Sequence, residues 1–120
     1  MSPATPLPGR RVRGSTSGRP IMALLDLLGR RWALRVIWEL HDGSAATFRE
    51  LQRRCDGISS SVLADRLREL GEADVVEHVG DGYALTAQGR DLLTRLTPLD
   101  DWATKWRPLS RRQRTPGRGS

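Results

Sequence analysis

The chain has 120 residues, 38% apolar and 28% charged, with 12 Gly and 7 Pro; this is the size of one small domain with irregular ends and excludes a large multidomain enzyme. Lys and Arg number 20 against 14 Asp and Glu, giving +6 at pH 7, so acidic partners lead: nucleic acid first, anionic membrane surfaces second. A single cysteine, Cys55, excludes an intramolecular disulfide and fits a reducing cytoplasm, and neither His41 nor His78 stands at metal-ligand spacing from it.

The charge is unevenly placed. Residues 1–19 carry Arg10, Arg11, Arg13 and Arg19 without an acid, and residues 107–120 carry Arg107, Arg111, Arg112, Arg114 and Arg118 without an acid. The ends therefore hold +9 and residues 20–106 about −3. Both ends are rich in Pro, Gly, Ser and Thr and short of apolar residues, so they are expected to be disordered basic tails flanking a folded unit at 20–106. They are either arms that neutralise phosphates or solubilising tails without a specific partner. The N-terminal stretch has no apolar signal-peptide core, and the apolar run Ile21 to Leu28 is too short to span a membrane and is broken by Asp26. The expected location is the cytoplasm, on the nucleoid.

Ile21 to Leu28 is predicted to be a helix stopped by Gly29, and Trp32 to Leu40 a second whose apolar residues form two stripes. Two helices apolar on more than one face carry more hydrophobic surface than one small core requires, which predicts a homodimer. After a turn at Asp42-Gly43-Ser44, Thr47-Phe48-Arg49-Glu50 has capping-box spacing and opens a helix whose inward stripe is Phe48, Leu51 and Cys55. Asp56-Gly57 ends it. Ser59 then caps a helix from Ser60 to Leu70, with Leu63, Leu67 and Leu70 inward and Ser61, Ala64, Asp65 and Arg68 outward. Two short helices joined by a Gly-containing turn, the second presenting small and polar residues, match a helix-turn-helix.

Val75 to Val79 and Tyr83 to Thr86, joined at Gly80-Asp81-Gly82, are predicted to form a hairpin. Thr86 caps a further helix to about Leu96, and Thr97-Pro98-Leu99-Asp100 reads as a capped new start. Leu92, Leu96, Leu99, Ala103 and Trp106 follow at alternating spacings of four and three, a seam suited to a partner helix.

The resulting class is mainly α with a small β-hairpin, in the order of a winged helix-turn-helix. Leu28-Gly29-Arg30-Arg31-Trp32-Ala33-Leu34-Arg35-Val36-Ile37-Trp38-Glu39-Leu40, then Phe48-Arg49-Glu50-Leu51, Gly57-Ile58-Ser59, Arg66-Leu67-Arg68-Glu69-Leu70, Tyr83-Ala84-Leu85-Thr86 with Gly89, and Trp102 resemble, in order and spacing, the bacterial, MarR-like HxlR-type transcriptional regulators. The resemblance covers about residues 20–106. It implies a dimeric DNA-binding regulator whose first and last helices form the dimer and whose helix after Gly57 enters the major groove. Two departures stand out. The Cys-Pro pair with which many members begin the domain, the cysteine serving some as a sensor, is Arg19-Pro20 here, and the hairpin tip is short and acidic where the family often has a longer basic one.

The residues expected to read bases are Ser60, Ser61, Ala64 and Asp65, with Ser59 at the cap; hydroxyls serve either sense of hydrogen bond, a methyl meets thymine, and a carboxylate accepts from cytosine N4. Arg68 is assigned to a guanine or a phosphate, and Arg49, Arg53 and Arg54 to phosphates. The alternative is a solvated face with Asp65 paired to Arg68. Arg66 is either a contact or a structural ion pair. The dimer contacts are assigned to Leu24, Leu28, Trp38, Leu99, Trp102 and Trp106. Cys55 is read as a small buried residue over a thiol sensor, and the four tryptophans as packing over an effector pocket between subunits. No catalytic set, metal site or cofactor motif is found, so the expected partners are double-stranded DNA, a second copy and an unidentified effector. The competing reading is a winged-helix protein-interaction module without sequence-specific DNA binding.

Overall fold

Residue type accounts for most helix starts in the computed structural model, which describes residues 4–9 and 19–109. Pro20 occupies the first position of α1 (Pro20–Leu28), where a missing N–H costs nothing. Trp32, in the left-handed region at φ +75°, turns the chain into α2 (Ala33–Glu39). The expected capping box opens α3 (Phe48–Cys55): Glu50 N donates to Thr47 Oγ1 at 3.1 Å and Thr47 N to the Glu50 carboxylate at 2.8 Å. Asp56 and Gly57, at φ +42° and +105°, make the sharp turn, and Ser59 accepts from Val62 N at 3.2 Å to cap α4 (Ser60–Glu72).

The helix expected to end at Leu70 runs on to Glu72. Gly71 is tolerated inside it because the reversal is supplied by Asp74, at φ +59°, and closed by a hydrogen bond from Val75 N to Leu70 O. The strands β1 (Val76–Val79) and β2 (Gly82–Leu85) pair antiparallel with His78 opposite Tyr83 and Val79 opposite Gly82. Gly82, read as part of the turn, is thus a strand residue, and the loop is the dipeptide Gly80-Asp81. Its first residue has φ +61°, which a type II′ turn requires. The hairpin is fastened by one further bridge, Ala46 N to Tyr83 O at 2.8 Å and Tyr83 N to Ala46 O at 2.7 Å.

Thr86 caps α5 (Ala87–Leu96) through its hydroxyl to Gly89 N at 2.9 Å. The expected cap at Thr97 is absent. Thr97 is itself helical and its hydroxyl donates back to Leu93 O at 2.8 Å, so α6 (Pro98–Lys105) follows α5 almost without a break.

Helix α2 lies at the centre, packed against α1, α3, α4 and α5. Val36 and Ile37 from it, Leu40 at its C-cap, Leu51 and Cys55 from α3, and Leu63 and Leu70 from α4 are at most 1% exposed. Val75, Val76 and Leu85 close the core under the hairpin. Residues 4–9 also rest on this body: Thr5 is buried and donates its hydroxyl to Glu72, and Arg30 donates to Ala4 O at 2.7 Å. Residues 4–9, part of the tail expected at 1–19, thus find polar partners on α4 and the α1–α2 turn. The rest of the two expected tails, apart from Arg19 and residues 107–109, lies outside the described residues.

Candidate nucleic-acid interface

The candidate surface is built by α3 and α4 and the tight turn between them. With Leu63, Leu67 and Leu70 committed to the core, α4 turns Ser60, Ser61, Ala64 and Arg68 to solvent, and Asp65 is half-exposed. Ser59 is exposed at the cap. The first turn of α4 holds no acidic side chain, so its amide end remains an electropositive feature beside the serines.

The cations divide by partner. Arg49 and Arg53 are exposed on α3 and form no ion pair among the described residues. Arg54, assigned to phosphates from the sequence, is tied across to α2 through one of its nitrogens. Its Nη1 donates to Glu39 O at 2.8 Å, while Arg35 returns a bond to Arg54 O at 2.8 Å and pairs with Glu39, so α2 and α3 are cross-tied. Arg68 is exposed but surrounded by acids, with Asp65 at 3.9 Å, Glu72 at 3.6 Å and Glu69 at 3.8 Å. The pairing of Asp65 with Arg68 weighed from the sequence is present as a loose approach, and it leaves both side chains more than two-fifths exposed.

Arg66 takes the structural role. Its Nε stands 3.2 Å from Glu69 Oε1, poorly aligned for a hydrogen bond, and its Nη1 donates to Arg31 O at 3.4 Å. Glu69 is buried at 1% exposure and is held chiefly by Arg30 at 2.6 Å. Pairing of this kind is what a carboxylate in a core requires. Cys55 is buried, and that burial pushes its thiol above the ordinary range, against a smaller opposing effect of Arg35. This is a packing residue, as its position on the Phe48 and Leu51 stripe implies.

A side chain not singled out by the sequence connects the two helices: Gln52 on α3 donates from Nε2 to Ser60 Oγ at 3.1 Å and to Ile58 O at 3.4 Å. The wing is short. Its tip residue Asp81 is exposed, and His78 lies over Tyr83 with ring centroids 4.3 Å apart. His41 stacks on Trp38 and its Nδ1 donates to the Trp38 carbonyl at 2.7 Å.

A second surface is apolar. Trp38, Leu99, Trp102 and Trp106 are 38%, 59%, 60% and 56% exposed, and α6 buries nothing. Between α2 and the α5–α6 junction runs a groove of about 230 Å³ walled by Leu34, Ile37, Trp38, Leu93, Leu96 and Leu99. Of the four tryptophans only Trp38 is among its walls, and Trp32 packs on the core beside Gly57. Leu24 and Leu28 on α1 are half-buried, with Leu28 against the core, whereas Ile21 and Leu25, which the sequence reading passed over, are the exposed pair at 53% and 55%. Among the described residues no helix is long and apolar enough to cross a membrane, and no three His, Cys, Asp or Glu are grouped to hold a metal ion.

Comparison with known proteins gives a consistent result. The family model described as HxlR-like helix-turn-helix matches residues 27–111. An uncharacterized HTH-type transcriptional regulator of Bacillus subtilis, YvaP, is 33% identical over 89 residues, 68% of this chain and 82% of the relative. The crystal structure of quinone-bound YodB from B. subtilis superposes with a TM-score of 0.66 at 31% identity, covering 72% of this chain and 97% of that one. A possible HxlR family transcriptional factor from Thermoplasma volcanium reaches 0.62 at 32% identity, over 68% of this chain and 78% of that one.

Proposed function

Because the chain belongs to the HxlR family of helix-turn-helix transcriptional regulators, we propose that it acts as a homodimer on a pseudo-palindromic operator, with α4 of each protomer in the major groove. The observation that carries this reading is the exposed side of α4, where Ser60, Ser61, Ala64 and Asp65 stand clear of the core between unpaired Arg49 and Arg53 on α3 and Arg68 further along. Hydroxyls, a methyl and a carboxylate are groups that discriminate base edges, and the arginines position the backbone. The wing adds little, since Asp81 at its tip is repelled by phosphates. The dimer forms through the exposed apolar residues of α1, α2 and α6, with Ile21 and Leu25 replacing Leu24 and Leu28 as the outward residues of α1.

The test is a footprint on the DNA upstream of the protein's own gene, run beside equilibrium sedimentation. The expected result is two protected major-groove segments one helical turn apart, about 34 Å, resisting random competitor DNA at moderate salt, together with a dimeric mass at micromolar concentration. Protection that random DNA abolishes, or a monomeric mass, overturns the reading.

A further inference from the structure

Gln52 projects from the last turns of α3 across the helix-turn-helix turn to the first residue of α4. Its neighbour Ile58 O can only accept a hydrogen bond, so the group turned towards it is the amide NH2, and the same nitrogen reaches Ser60 Oγ at 3.1 Å. Ser60 therefore accepts from Gln52. A hydroxyl has one hydrogen and two lone pairs, so with one lone pair engaged on the protein side the oxygen is anchored, and the hydrogen and the second lone pair are left for the solvent side. The next serine is held in a similar way: Ser59 Oγ accepts from Val62 N at 3.2 Å and lies 3.4 Å from Ser61 Oγ.

We propose that Gln52 is a positioning residue that anchors the Ser60 oxygen and so fixes where its hydroxyl stands against a base edge in the major groove. This rests on the reading that α4 enters that groove. An unanchored serine side chain swings between rotamers and meets no one base-edge atom consistently. A serine whose oxygen is held in place meets one base-edge atom only, so a base pair that puts no partner at that point is discriminated against. Gln52 acts without touching the DNA, and its effect is confined to the base pair that Ser60 faces.

The experiment measures binding of the full chain to the footprinted site and to a set in which each base pair is replaced in turn, for the wild type, Gln52→Met, Ser60→Ala and the double variant. Met keeps the length and packing of Gln while removing the donors. The expected result is that Gln52→Met lowers discrimination about five- to tenfold at one base pair per half-site, the same one that Ser60→Ala affects. The double variant should lose no more than either single one. Thermal unfolding midpoints of the variants identify any that are simply misfolded, and for those Gln52→Glu serves instead. A carboxylate can only accept, so it would turn the Ser60 hydrogen inward and move the preference at that base pair towards a donor-bearing base. Loss spread evenly over all base pairs, or unchanged discrimination at the Ser60 position, overturns the assignment of Gln52 while specific binding stands. Absence of specific binding by the wild type overturns the reading on which it rests.

Discussion

Gly89 occupies the third position of α5, and a methyl group there has no room. An ideal Cβ would stand 2.1 Å from Val75 O, 3.1 Å from Val75 C and 3.3 Å from Leu85 Cβ. To reach ordinary contact the start of α5 must withdraw by more than 1 Å from the root of the hairpin. Two bonds resist that movement, Thr86 N to Val75 O at 3.0 Å and Thr86 Oγ1 to Asp74 O at 2.6 Å, both made by the residue that caps the helix. Helix propensity alone favours Ala over Gly by about 1 kcal/mol. Overpacking against backbone costs about 1–3 kcal/mol, and a loosened cap adds about 1 kcal/mol. The net expectation for Gly89→Ala is a destabilisation of about 2 kcal/mol, a sizeable share of the roughly 5–15 kcal/mol by which a domain is stable.

Gly71 provides the matched control. It lies within α4 without a positive φ, and its ideal Cβ would meet only Val76 O, at 3.8 Å. Gly71→Ala should therefore realise the propensity gain and raise stability by about 0.5–1 kcal/mol. Urea unfolding followed by tryptophan fluorescence reads both, as opposite shifts of midpoint at constant slope. If Gly89→Ala is as stable as the wild type, or if the two variants shift the same way, the close approach of α5 to the hairpin root is wrong.

Glu69→Ala should cost about 3–5 kcal/mol in the same assay, because Arg30 and Arg66 would keep partly buried charges without their carboxylate; a loss below about 1 kcal/mol would show the network to be dispensable. The Thr47 N–H donated to Glu50 holds that carboxyl below its usual range, so its contribution is complete above the unfolded value of 4.5 and is lost as pH falls through the lower folded value. Glu50→Gln keeps the acceptor without the charge, and its urea midpoint should drop less between pH 7 and pH 3 than that of the wild type; equal drops would refute the assignment. Cys55 in native protein should react with iodoacetamide far more slowly than free cysteine and at an ordinary rate in urea, whereas equal native and free rates would contradict its burial.

What could be read from the sequence was what is written locally. The Thr47 and Glu50 box, the Asp56-Gly57 turn, the Ser59 cap and the leucine stripe of α4 each depend on residues within one or two turns, and all are present as expected. The phase of α1 was not legible, because a helix apolar at nearly every position satisfies the four-residue spacing equally through Leu24 and Leu28 or through Ile21 and Leu25. Only packing against α2 decides between them. The tie of Arg54 was hidden for a related reason: an arginine on a helix surface looks the same in sequence whether it reaches solvent or a carbonyl fifteen residues away. The Ala46 bridge and the seating of residues 4–9 are backbone contacts across the fold, and composition carries no trace of them.

The disposition of cations bears on why the proposed assembly has to be double. Of the arginines on α3 and α4, Arg66 is paired inside the protomer, Arg54 is tied by one nitrogen to the Glu39 carbonyl and Arg68 is set among three carboxylates, which leaves Arg49 and Arg53 as the untethered charges beside the serines. Each neutralised phosphate changes the salt slope of DNA binding by only about 0.9, so one protomer with two such contacts binds weakly whatever its sequence preference. Joining two copies makes the second half-site contact intramolecular and multiplies affinity without any new contact. An apolar face on α2 and α6 that a monomer leaves in water is then coupled to function, since in this reading burial of Trp38 and Trp102 against a second copy lets a recognition helix with few free cations hold its site.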